Sequence, residues 1–158
     1  MRKSPVSRIR SIAGFTLIEL MVTIVVASIL AAIAIPAYTS QIRKSRRTEA
    51  RTALLDLASR EERFNSTNSA YTSSLANLGY SGANWPVTVG SGYYQITAVV
   101  CAATTCGADT GTGAAFLLTA QPLAPQNKDT TCGSFTLDNT GLQQVTGSAV
   151  ATPASCWN

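Results

Sequence analysis

The stretch from Phe15 to Ile35 is almost wholly apolar, and it limits what this chain can become more than any other feature. As a helix its 21 residues would span roughly 31 Å, at about 1.5 Å per residue, close to one hydrocarbon core. No second apolar run of this length follows, so the sequence predicts a single membrane crossing. A secretory signal peptide is the ordinary alternative, but its apolar region is about 7–15 residues long and ends in a small-x-small cleavage site. Here the run is longer. It also carries Glu19 near its start, where a signal peptide gains nothing from an acid.

Charge is distributed to match. Arg2, Lys3, Arg8 and Arg10 precede the run and account for the net charge of +4, since the remaining basic and acidic residues balance at 8 each. These four read as a cytoplasm-retaining flank. Between Asn65 and Asn158 the only basic residue is Lys128, set against Asp109, Asp129 and Asp138. That count argues against nucleic acid as a partner. It favours packing for Tyr71, Tyr80, Trp85, Tyr93, Tyr94 and Trp157. The chain has no His, and no serine elbow, phosphate-binding glycine loop or metal-ligand spacing, so neither an enzyme nor a cofactor is expected. Cys101, Cys106, Cys132 and Cys156 all lie in the C-terminal third. An even count beyond a membrane segment points to two disulfides in an oxidising compartment.

Pro36 removes one helix donor and predicts a kink rather than an end. Beyond it Ala50, Ala53, Leu54, Leu57 and Phe64 recur at helical spacing. Asp56, Arg60, Glu61 and Arg63 fall mainly on the other side, giving one packed face and one wet face. A helix from about Phe15 to about Asn65 is followed by Asn65-Ser66-Thr67-Asn68-Ser69, then a loop reaching Gly90-Ser91-Gly92. Four strands are expected: Tyr93–Val100, Ala115–Ala120, Ser134–Leu137 and Leu142–Val145. The last two flank Asp138-Asn139-Thr140-Gly141, a hairpin turn. The predicted fold class is α+β, with a long kinked helix packed on a four-stranded antiparallel sheet. Arg43-Lys44-Ser45-Arg46-Arg47 follows the apolar run and could meet lipid headgroups or an acidic partner surface. A solvated helix face, partly balanced by Glu49, is the preferred reading.

Gly14-Phe15-Thr16-Leu17-Ile18-Glu19, leading into an apolar helix, resembles the processing and assembly motif of type IV pilins and their pseudopilin relatives. Phe15 as the first mature residue resembles the type IVa branch. Cys132-Gly133-Ser134-Phe135-Thr136-Leu137-Asp138-Asn139-Thr140-Gly141, with Cys156-Trp157 further on, is similar to the PilE type of minor pilin. The resemblance implies a leader over 1–14, a transmembrane and filament-core helix over 15–36, an amphipathic helix over 37–65, and a loop with the sheet over 66–158. It implies cleavage between Gly14 and Phe15 by a prepilin peptidase, and methylation of the Phe15 amine. Glu19 would pair with the N-terminal amine of a neighbouring subunit and set register. The implied partners are other pilin subunits and the inner-membrane assembly machinery. The implied location is the bacterial inner membrane, with the C-terminal domain periplasmic, and then the extracellular pilus. Motility, adhesion and DNA uptake are the roles such a minor pilin would serve, and a pseudopilin of a type II secretion system is the alternative. Four cysteines allow three pairings, which counting leaves open. Cys101–Cys106 is favoured as a clip on a strand end, and Cys132–Cys156 for its resemblance to the pilin D-region loop.

Overall fold

The computed structural model describes residues 14–80, 84–101, 106 and 112–158. Residues 1–13, and with them Arg2, Lys3, Arg8, Arg10 and nearly all of the expected leader, lie outside the described residues, as does Asp109. Helix α1 runs Leu17–Asn68. It starts at Leu17 rather than Phe15 because the Thr16 hydroxyl caps it, accepting the Glu19 amide at 3.3 Å. This is the N-terminal signature of a Thr followed three residues later by Glu. Pro36 lies inside the helix, and the Thr39 hydroxyl donates to its carbonyl at 2.9 Å. At the far end Asn68 Nδ2 donates to the Phe64 carbonyl at 3.0 Å, and Ser69 turns into the left-handed region at φ 56°. That conformation ends the helix.

The chain divides into two compact units, one ending at Ser40 and one running Gln41–Asn158. In the first unit the described residues 14–40 are exposed throughout. The second holds the core. After α1 come β1 (Tyr71–Thr72), β2 (Val87–Val89), β3 (Tyr94–Cys101), β4 (Thr112–Gly113), β5 (Ala115–Pro122), β6 (Phe135–Asp138), β7 (Gln143–Val145) and a terminal turn of helix, α2 (Ala154–Trp157). The main sheet is five-stranded and antiparallel in the order β2-β3-β5-β6-β7, and β1 pairs with β4 in a separate two-stranded ribbon.

The fold class is α+β, but the expected count of four strands is corrected: β2 adds a fifth, and the segment read as loop also contains β1. Both are too short to show alternation. Val87–Val89 sits between Pro86 and Gly90, residues that signal loop when read alone. The longer strands behave as their alternation requires. Tyr94, Ile96, Ala98 and Val100 of β3 are buried, as are Phe116, Leu118 and Ala120 of β5, Phe135 and Leu137 of β6, and Val145 of β7. They form one cluster with Ala50, Leu54 and Leu57 of α1. Tyr71, Tyr94 and Trp157 are buried in that core, with Tyr80, Trp85 and Tyr93 packed against its edge. Edge-to-face rings link Tyr71 with Phe116 at 4.9 Å and Phe135 with Trp157 at 5.5 Å.

Candidate functional site

Chemistry-bearing residues fall into two groups, one in each unit. In the first, Gly14, Phe15 and Thr16 precede α1 outside any regular element, and all three are exposed. A Cβ built on Gly14 would meet nothing within 4 Å, so the Gly14–Phe15 bond is open to an approaching protein. Phe15 is 80% exposed, and Glu19 stands one helical turn further on, also exposed. Leu17, Ile18, Leu20, Met21, Val22, Ile24, Val25 and Val26 continue this surface, each at least half exposed. A contiguous apolar surface on this scale needs lipid or protein against it.

In the second unit α1 lays one stripe on the sheet. Arg47, Ala50, Leu54, Leu57 and Glu61 follow one another at helical spacing, so two charged residues bracket three apolar ones. Arg47 Nε and Nη2 donate to Asp129 Oδ2 and Oδ1 at 2.6 and 2.7 Å, a forked pair nearly closed off from water. Gln126, wholly buried, donates through Nε2 to Asp129 Oδ2 at 3.2 Å, to the Tyr94 hydroxyl at 3.3 Å and to the Arg43 carbonyl at 3.4 Å. Burial raises the Tyr94 hydroxyl above its usual range.

Glu61 closes the other end of the stripe and is wholly buried. Its Oε2 accepts the Thr72 amide at 3.1 Å, while Oε1 has no partner. Burial pushes this carboxyl up to about 7, helped by the neighbouring Glu62 charge and opposed by the Thr72 amide. Glu61, expected on the wet face because of its charge, is instead on the packed face, as its spacing of four residues from Leu57 signals.

The basic run is also corrected. Among the described residues Glu49 makes no ion pair with the run, and its two oxygens accept the Ser91 amide at 2.8 Å and the Ser91 hydroxyl at 3.0 Å. A Cβ at Gly90, which sits at φ 56°, would collide with that carboxylate. Arg46 lies over the Tyr93 ring at 3.6 Å, and Arg47 is held by Asp129. Two of the run's cations are therefore engaged within the domain rather than solvated. Disulfides join Cys101 to Cys106 and Cys132 to Cys156. Among the described residues no three His, Cys, Asp or Glu side chains gather where a metal ion could be held.

Comparison with known proteins extends this picture. The family model described as "Type IV minor pilin ComP, DNA uptake sequence receptor" matches residues 36–136, nearly two thirds of the chain. The model of the prokaryotic N-terminal methylation motif matches residues 9–35. The type IV major pilin protein PilA of Myxococcus xanthus (strain DK1622) is 38% identical over 68 residues, which cover 43% of this chain. The chain spans only 31% of that relative's length. A type IV pilin structure from Shewanella oneidensis aligns at a TM-score of 0.47 and 27% identity, covering 73% of this chain and 98% of that one. Since the first of these models covers both the amphipathic part of α1 and most of the sheet, this chain belongs to the type IV minor pilin ComP family.

Proposed function

We propose that this minor pilin begins as a single-span inner-membrane protein with residues 41–158 on the periplasmic side, and that a prepilin peptidase cuts it between Gly14 and Phe15. Phe15 is then methylated on its new amine, and the inner-membrane assembly machinery moves the subunit into a pilus beside other pilins. One observation supports the reading above the rest: residues 14–40 are exposed although mostly apolar. Lipid covers them first and neighbouring helices afterwards. Pro36 is the point at which α1 bends to fit both settings. Glu19 is costly inside hydrocarbon unless an amine neutralises it. The methylated Phe15 amine of an adjacent subunit supplies that charge and fixes the axial register.

Mass spectrometry of sheared pili tests the reading. The expected peptide begins at methylated Phe15. The variant Glu19→Ala should reach the membrane at wild-type levels yet be missing from the sheared fraction, and equal amounts of variant and wild type in that fraction would refute the role.

A second reading, reception of DNA, is favoured by the family that matches residues 36–136, described as a DNA uptake sequence receptor, over a span containing the basic run. Titration of the full chain with duplex DNA at several salt concentrations tests it. A receptor would show affinity falling steeply as salt rises, and an absence of binding at low salt would dismiss it.

A further inference from the structure

Three successive side chains of α1 clasp the segment that follows it. Arg60 Nη1 donates to the Leu78 carbonyl at 3.0 Å, Glu61 Oε2 accepts the Thr72 amide at 3.1 Å, and Glu62 Oε1 accepts the Tyr71 hydroxyl at 2.9 Å. One end of the segment is firmly held. Leu75 and Leu78 are buried, and the Tyr80 amide donates to the Leu75 carbonyl at 2.9 Å. The other end is β1, two residues long and paired with the two residues of β4 in a ribbon apart from the main sheet. So short a ribbon adds little, and β1 depends on its side-chain contacts to stay in place. Those are the Tyr71–Phe116 ring contact and the two glutamates of α1.

The Glu61 tie is conditional. Its side chain is wholly buried and its Oε1 has no partner. A protonated carboxyl tolerates that setting, whereas an anion with one amide donor and no counter-ion does not. Among the described residues, the charged and ionisable groups around it offer no relief. On α1, Glu62 adds a like charge, and Arg60 is committed to Asp56 and the Leu78 carbonyl. On β1, the Tyr71 hydroxyl is pushed up to about 12, chiefly by burial, so it stays neutral. β4 and β5, which pack on β1, carry no ionisable side chain, and Tyr80 donates to Asp56 at 3.2 Å. Water is the remaining source of donors, and Oε1 is closed to it in the packed structure.

We propose that Glu61 makes β1 a pH-operated latch: Tyr71 and Thr72 stay shut while the carboxyl is protonated, and lift locally when it ionises. Lifting lets water reach the carboxylate and bares the ring edge of Phe116. Leu75 and Leu78 remain packed and form the fixed end. The latch is a property of the single subunit and goes beyond the assembly role.

Hydrogen exchange of individual amides, measured on the full unassembled chain in detergent and corrected for intrinsic rates, tests it. The Thr72 amide should open more readily than the Leu118 amide of β5 at every pH. The Glu61 pKa falls from about 7 when shut toward 4.5 when hydrated, so Thr72 opening should grow about fortyfold from about pH 5 to about pH 7 and level off above. The chain has no His to titrate in that window. Glu61→Gln, which cannot ionise, should abolish the rise, and Leu118 protection in the same sample shows that the variant is folded. Constant Thr72 opening across this range in wild type would overturn the proposal. So would a rise of the same size in Glu61→Gln, or equal opening of Thr72 and Leu118, which would mean that β1 is released by global unfolding alone.

Discussion

Glu61 sits at the junction of α1 and β1 with one carboxylate oxygen given to the Thr72 amide and the other to nothing. Burial is the main reason its pKa rises from 4.5 to about 7, so between those values the folded chain holds a proton that the unfolded chain releases. Stability is therefore greatest at the acid end of this window and declines as pH climbs through about 7. The variant Glu61→Gln should flatten that decline. It should also gain on the order of 1–3 kcal/mol over wild type above the window. Urea unfolding of the full chain in detergent at several pH values measures both effects. Arg47 and Asp129 are the opposite case, an ion pair with both charges satisfied. Truncation by Arg47→Ala strands a buried carboxylate and should cost about 3–5 kcal/mol in the same assay. Neither arrangement could be read along the chain in advance. Arg47 and Asp129 are 82 residues apart, and no local pattern couples them.

Among the elements, the β6–β7 hairpin was the most legible. Asp138, Thr140 and Gly141 supply its turn by known chemistry. Asp138 Oδ1 accepts the Thr140 amide at 2.9 Å, the Thr140 hydroxyl at 2.6 Å and the Leu142 amide at 3.0 Å, and Gly141 takes φ 80°. Partial burial works against the charged form of Asp138, but these donors outweigh it and the pKa falls below the usual value. Its contribution to stability is thus present at neutral pH and fades as pH drops through that lowered pKa. The Cys132–Cys156 bond closes 24 residues around the hairpin and α2. Replacing both cysteines with serine should lower stability by about 3–4 kcal/mol in the chain-entropy model, as measured by denaturant midpoints against wild type. The strands that eluded sequence reading, β1, β2 and β4, are two or three residues long. A period of two cannot be established over so few residues. Their existence depends on partners fixed elsewhere, such as Tyr94 and Ile96 opposite β2.

For the molecule as a whole, the switch from a uniformly apolar run to an amphipathic helix was visible in the letters alone, and it coincides with the division near Ser40. The core cluster lies entirely in the second unit. A chain starting at Gln41 should therefore stay soluble and monomeric in size-exclusion chromatography, whereas full-length protein should require detergent. Aggregation of the shortened chain would contradict this. One feature of the sheet bears on how such subunits tolerate crowding. Its border strands, β2 and β7, are three residues each. Proline also stands at this rim: Pro86 precedes β2 and offers no amide hydrogen. At the opposite rim Trp157 Nε1 already occupies the Gln144 carbonyl at 3.1 Å. Amyloid-like stacking begins where a long, bare rim invites another backbone to join. Both rims here are clipped short or spoken for, so dense populations of this protein are steered away from cross-β growth.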